Sequence, residues 1–159
     1  MEPLRRKDRR MPEEETWELL RECGWAMVAM TGEDGLPYCV PVSPALEGDR
    51  LYFHCAKRGE KVKALSVHPE VCVTAVGDWQ TIQAEFTVHY RSVVARGTAA
   101  LVTNEAERLR ALELISRKYC PDDMETGFAA ELEREGAAAA VYAIRISHIC
   151  GKKNPNSRN

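Results

Sequence analysis

The sequence predicts a mainly β protein, an antiparallel barrel carrying a few helical decorations, and three observations lead there. At least six apolar or β-branched runs are separated by turn residues. Two of the connections, at 32–35 and at Gly48-Asp49, are short enough to fold one strand back on the next as a meander. Only a few stretches carry helical spacing, and no linker or internal repeat divides the 159 residues, so one core is expected.

The elements follow in chain order. Residues 12–23 read as a helix, because Pro12 suits the first helical position, Glu13 to Glu15 suit the positive end of the dipole, and Gly24 suits the stop. Trp17, Leu20 and Cys23 recur at helical spacing and give it one face to bury. Strands are expected at 25–31, 37–46 and 50–56. A short helix at 60–67 turns Val62 and Leu65 inward and stops at His68-Pro69, since a residue before proline resists helical angles. A further strand covers 71–76. The run 83–102 is too long for one ordinary strand, so it is expected to bend, with Gly97 at the bend. Asn104 then caps a helix with Glu107 three residues on, a capping-box spacing. Leu109, Leu112, Ile115 and Tyr119 line its apolar face, and Pro121 ends it. Residues 122–135 suggest another helix and 137–149 the closing strand. Residues 1–11 read as an N-terminal arm of a domain covering 1–153, and 154–159 as a flexible tail.

Composition removes several classes of function. The formal charge of −2 gives no global field for nucleic acid or anionic lipid. No apolar run nears the roughly 20 residues of a membrane span. The basic N-terminus lacks the apolar stretch of a secretory signal, and a cytoplasmic protein is expected. The basic run Arg5 to Arg10 is short and interrupted by Asp8, which favours an ion-paired arm over a nucleic-acid contact. The six cysteines form no C-x-x-C pair and read as buried, reduced thiols. The four histidines hold no i,i+4 pair, so no metal is expected. Trp25 and Trp79 read as core or interface aromatics.

Two stretches carry chemistry. In Asp34-Gly-Leu-Pro-Tyr-Cys-Val-Pro-Val-Ser-Pro44, three prolines remove ladder donors, so backbone groups around Val40 and Val42 are free for a planar heterocycle or for nothing. In Leu51-Tyr-Phe-His-Cys-Ala-Lys-Arg-Gly-Glu-Lys-Val-Lys63, a strand enters a glycine loop and a helix start. Lys57, Arg58, Lys61 and Lys63 cluster there, which reads as a phosphate cradle or as a solvated basic helix start. The loop lacks the pattern of nucleotide triphosphatases, so a cofactor with one or two phosphates fits better than ATP. His54 sits in this loop either as a proton donor or anion ligand, or as an ordinary hydrogen-bonded, half-buried histidine.

Taken in order, these segments resemble the pyridoxamine phosphate oxidase-like flavin-binding split-barrel family, in particular its nitroimidazole-resistance branch. The matching residues are Arg5-Arg-Lys-Asp-Arg-Arg10, Asp34-Gly-x-Pro-Tyr-x-Val-Pro-Val42, Tyr52-Phe-His-x-Ala-x-x-Gly-x-Lys61, Phe86-Thr-x-x-Tyr-x-Ser-Val-Val94 and Gly151-Lys152. The resemblance implies a six-stranded split barrel that binds FMN at the interface of a homodimer. By that resemblance Val40, Pro41 and Val42 meet the isoalloxazine edge. His54, Cys55 and Ala56 line the phosphate side, and Gly59 and Lys61 hold the phosphate. Tyr90, Ser92 and Val93 approach the flavin from the partner subunit, and Lys152 either reaches the cofactor or faces water. His54 is the candidate catalytic residue.

The closing segment Ile149-Cys-Gly-Lys-Lys-Asn154 lacks the arginine-rich substrate segment of the authentic oxidases, so vitamin B6 oxidation is not expected. The implied activity is that of an FMN-dependent oxidoreductase, with an electron donor such as NAD(P)H and a small oxidised substrate such as a 5-nitroimidazole. The alternative is a flavin- or haem-binding carrier or sensor without turnover, haem needing a histidine or cysteine as axial ligand. A chain with no cofactor and a vestigial cleft is the third possibility.

Overall fold

Pro12, with its fixed φ, and the carboxylates of Glu13, Glu14 and Glu15 open helix α1 (Glu13–Glu22) in the computed structural model, which describes residues 4–154. Pro12 stands at the N-cap, one position before the expected one. Seven strands follow: β1 (Ala26–Thr31), β2 (Pro37–Val42), β3 (Ala45–Glu47), β4 (Arg50–Ala56), β5 (Glu70–Ile82), β6 (Thr87–Leu101) and β7 (Ala139–Asn154). Helix α2 (Glu60–Val67) lies between β4 and β5, and α3 (Glu105–Tyr119) and α4 (Phe128–Glu135) lie between β6 and β7. Among the described residues no helix is long and apolar enough to cross a membrane.

The strands form one antiparallel sheet in the order β2-β1-β5-β6-β7-β4-β3. Its two edge strands, β2 and β3, are consecutive in the chain and joined only by Ser43-Pro44. The sheet must therefore curl until its edges meet, and this makes it a split barrel. The count is seven strands where six were expected. The run 37–46 breaks because Pro44 cannot donate to a ladder, so its two halves pair with different neighbours, β2 with β1 and β3 with β4.

Other boundaries move: the helix expected over 122–135 begins only at Phe128, and residues 83–85 form a 3-10 turn before β6. Strand β5 continues past Val76 to Ile82 because β6 pairs with it along its length, and the ladder survives an irregularity at Gly77 to Gln80. Strand β7 runs five residues beyond the expected end, with Asn154 opposite Tyr90. Asn154 is buried and its side-chain amide donates to Val88 O (2.7 Å) and Thr87 Oγ1 (3.0 Å), so it belongs to the sheet and not to a tail. Residues 1–3 of the arm and 155–159 of the tail lie outside the described residues.

The main core fills the barrel interior, with Val28, Leu51, Phe53, Val73, Val93 and Ile144 fully buried and α1 closing over them through Leu19 and Leu20. A second, smaller core lies on the outer sheet face under α3, built from Tyr52, Val141, Ala111 and Ile115. Only Cys23 of the six cysteines is buried. Cys39 projects from edge strand β2 and Cys120 caps α3, so both are exposed, and the other three are intermediate. Trp25 and Trp79 are exposed, not core.

Helix α3 is fixed at both ends by polar groups. Asn104 Oδ1 accepts from Glu107 N–H (3.0 Å), as the capping spacing predicts. The Glu107 carboxylate does not return the bond, since it accepts from Arg50 (2.6 Å) and Tyr52 OH (2.9 Å) on β4. At the other end Lys118 Nζ donates to the carbonyls of Cys23 (2.7 Å) and Pro44 (2.8 Å), and Tyr119 OH donates to Pro44 O (2.9 Å).

Burial is the main reason the Tyr119 phenol is pushed up to about 12 from its ordinary 10.0. Between those values the unfolded chain has lost this proton and the folded chain has kept it. The stability it contributes is therefore present below about pH 10 and lost as the pH climbs toward 12. Urea midpoints at about pH 9 and about pH 11 are expected to fall less in Tyr119→Phe than in the wild type. An equal fall in the two proteins would contradict this assignment.

Candidate functional site

Alternation along β4 decides what its end can do. Leu51, Phe53 and Cys55 face the barrel interior, whereas Tyr52 and His54 face outward toward α3. His54 and Cys55, neighbours in the expected cofactor loop, thus project from opposite sides of the sheet. His54 is exposed rather than half-buried and opens into a cavity of about 390 Å³ between the sheet, α3 and α4. Ser43, Ile115, Tyr119, Phe128 and Leu132 line it, with Glu131 and Glu135 among its polar groups. None of these was singled out from sequence except Tyr119 and Ile115, as apolar residues of the helix. The signal was the i,i+4 apolar pair Phe128 and Leu132, both half-buried, on a short helix.

On the inner side, Lys61 Nζ sits 5.5 Å from the centre of the Phe53 ring. Burial raises the Cys55 thiol, and the nearby Lys61 ammonium partly offsets that rise. Lys61 has no ion-pair partner among the described residues. Of its basic neighbours, Lys63 lies 4.0 Å from Glu33, while Lys57 and Arg58 are exposed and have no ion pair among the described residues. Of the four cations only Lys61 is half-buried, beside Phe53, so it is the one the fold holds in place.

Gly59 is the N-cap of α2 at φ +132°, a backbone angle that disfavours any side chain, and a Cβ there would meet nothing within 4 Å. Among the described residues no side chain caps this helix, so its first-turn amides are open to an anion. The groove beside Gly59 toward the β1–β2 turn carries Glu33, Asp34, Glu60 and Lys63. That excess of carboxylates repels phosphate, so the side facing Lys61 is the one suited to it. A phosphate-bearing cofactor fits this corner.

The other expected residues divide by face. Val42 and Val93 are buried in the barrel core and Val40 packs against it, so only their backbones can reach a ligand. Pro41 and Ala56 are exposed. Strand β2 is an edge strand, so one of its sides has no sheet neighbour. Tyr90 and Ser92 point outward from β6, and Ser92 Oγ donates to Lys152 O (3.3 Å). His54 pairs with Val141 and Tyr90 with Asn154, so on the order of 40 Å of β7 contour separates them. One chain does not bring Tyr90 and Ser92 to the His54–Lys61 end.

The sequence model of the family described as pyridoxamine 5'-phosphate oxidase matches residues 12–153. No curated protein matches the chain. Among solved structures, a candidate 5-nitroimidazole antibiotic resistance protein from Bacteroides thetaiotaomicron superposes with a TM-score of 0.76 at 22% identity, covering 91% of this chain and 86% of that one. A flavocytochrome from Azotobacter vinelandii gives 0.78 at 25% identity, over 97% and 73%. An FAD- and haem-binding protein from Mycobacterium smegmatis gives 0.74 at 23% identity, over 93% and 74%.

Proposed function

The chain belongs to the pyridoxamine 5'-phosphate oxidase family, and from that premise we propose that it is an FMN-dependent oxidoreductase, active as a dimer of identical chains, that reduces a small oxidised molecule such as a 5-nitroimidazole with electrons from NAD(P)H. The observation that carries the reading is the Lys61 corner: an ammonium with no ion pair among the described residues, beside a helix start that none of their side chains caps and that opens on a glycine at φ +132°.

Gly59 lets the chain turn so that the first amides of α2 and the Lys61 ammonium grip one phosphate. The free edge of β2 offers backbone donors and acceptors to a heterocycle. Bound flavin supplies the transfer of two electrons between a reduced nicotinamide and an acceptor. His54, at the mouth of the α3–α4 cavity, holds or delivers a proton at its imidazole as the acceptor is reduced. The apolar wall of that cavity keeps water from the acceptor. A second copy supplies Tyr90 and Ser92, and the exposed Val76 and Trp79 on β5, Phe86 in the turn between β5 and β6, and Val94 on β6 give it an apolar face to cover.

The test is the visible spectrum of the purified protein, extraction of its ligand, and its sedimentation mass. A yellow dimer that releases FMN and bleaches anaerobically with NAD(P)H is the expected result. A colourless monomer that takes up no added FMN rejects it. Haem is the second reading, favoured by the exposed His54 in an apolar cavity, and a Soret band from the extracted ligand would establish it.

A further inference from the structure

The cavity between the sheet, α3 and α4 has an electrostatic bias that a neutral acceptor would not need. The acidic side chains on its wall are Glu131 and Glu135 of α4, and among the described residues no lysine or arginine lines it, so His54 is its one basic group. The two carboxylates are four residues apart on one helix, a spacing at which like charges repel. They share a single cation: Arg134 donates to Glu131, and its Nε lies 3.8 Å from Glu135. One negative charge on α4 is left over. Two helix ends add to it. Ser116, Tyr119 and Cys120 bring the C-terminal turn of α3 to the wall, and Glu135 and Gly136 bring that of α4. A helix C-terminus is the negative end of its dipole. The cations nearest these ends are engaged elsewhere: Arg117 pairs with Glu113, Lys118 donates to the carbonyls of Cys23 and Pro44, and Arg108, which reaches Gly136 O (2.8 Å), is paired with Glu105.

The rest of the wall is apolar or neutral. Leu112, Ile115, Phe128 and Leu132 face the space, and the Tyr119 hydroxyl already donates to Pro44 O. A volume of about 390 Å³ lies in the range that buries most of a drug-sized molecule. An apolar slot with acid at its rim matches a flat molecule that carries an amine. We infer that the acceptor taken by this cavity is an organic cation: its ring lies against Phe128 and Leu132, its ammonium reaches Glu131 and Glu135, and a carboxylate or phosphate ester of the same size is turned away. The inference rests on the flavin reading above for the reduction of that molecule and not for its binding. The carboxylates act on binding, so the preference for charge belongs in KM and not in kcat.

The test sets three nitroaromatics of one size against the full-length protein near neutral pH: para-nitrobenzylamine, a cation; para-nitrobenzyl alcohol, neutral; and para-nitrobenzoate, an anion. Binding is read without turnover, as protection of Cys120 from the neutral reagent N-ethylmaleimide, followed by peptide mass. Cys120 lines the cavity, and the exposed Cys39 on edge strand β2 is the internal control. The amine is expected to protect Cys120 at about tenfold lower concentration than the benzoate, with Cys39 unaffected and the preference shrinking in high salt. Glu131→Gln combined with Glu135→Gln should weaken the amine about tenfold and leave the alcohol within about twofold. Arg134→Gln should tighten the amine about threefold, a gain that a poorly folded variant does not imitate. Steady-state oxidation of NAD(P)H by the FMN-loaded protein then reads whether the bound amine is reduced. Equal protection by the three compounds, preference for the benzoate, or an amine affinity unmoved in both variants overturns the inference. Reduction of all three with one KM overturns it while the flavin reading stands. Selective protection by the amine with no reduction upholds the cation site and retires the flavin reading alone.

Discussion

Lys61→Ala is expected to weaken FMN binding by about tenfold to a hundredfold, the equivalent of one charge-assisted hydrogen bond. The size follows from the neighbourhood. Lys63 faces Glu33, Glu60 adds a carboxylate at the helix start, and of the four cations only Lys61 is half-buried beside Phe53, so it is the one held in place. Lys63→Ala, less than one turn further along α2, is the matched control and should change affinity by less than about twofold, since its charge is exposed and already faces Glu33. Lys118 makes a poor control despite its distance, because it satisfies two carbonyls and its loss would loosen α3. A merely structural Lys61 would instead lower stability by about 0.5–1 kcal/mol through the Phe53 ring and leave FMN affinity as it was. Fluorescence titration of FMN, read beside urea unfolding of the same variants, separates the two roles.

How far the sequence revealed this site depended on whether the deciding contacts were local. The glycine entry to α2, its stop at His68-Pro69 and the Asn104 cap rest on groups within a few residues, and the structure has them where the sequence placed them. The break at Ser43-Pro44 was less legible, because proline in an edge strand and proline between two strands leave the same mark. The reach of β5 and β7 came from pairing with β6, which no local signal announces. The approach of Glu33 to Lys63 was also hidden, since the two are remote in sequence. One misgrouping was avoidable. Period-two alternation already puts His54 and Cys55 on opposite faces of β4, and Val42 and Val93 sit at inward positions by the same rule.

The face that Lys152 presents was the least legible feature of all, and Gly97 controls it. Along β7, Ala140, Tyr142, Ile144 and Ile146 point into the barrel, but beyond the register shift opposite Arg96 and Gly97 the inward residues become Ile149 and Gly151. One additional residue in β7, a bulge, flips the parity and turns Lys152 outward and Lys153 toward Glu15. The bulge needs close approach of the two backbones, since a Cβ on Gly97 would lie 2.2 Å from Arg145 O and 2.9 Å from its carbonyl carbon. No side-chain rotation relieves a collision with backbone between two central strands. Gly97→Ala is therefore expected to destabilise the protein by about 3 kcal/mol, at the upper end for overpacking, and a large share of a typical domain's stability. Gly24→Ala, where a Cβ meets nothing within 4 Å, should be close to neutral. Urea unfolding at unchanged m-value measures both. If Gly97→Ala folds with wild-type stability, the bulge is not held by that glycine. If it folds weakly, the Lys61 corner of the same chain should still be formed, because only the far end of β7 depends on the register that Gly97 sets.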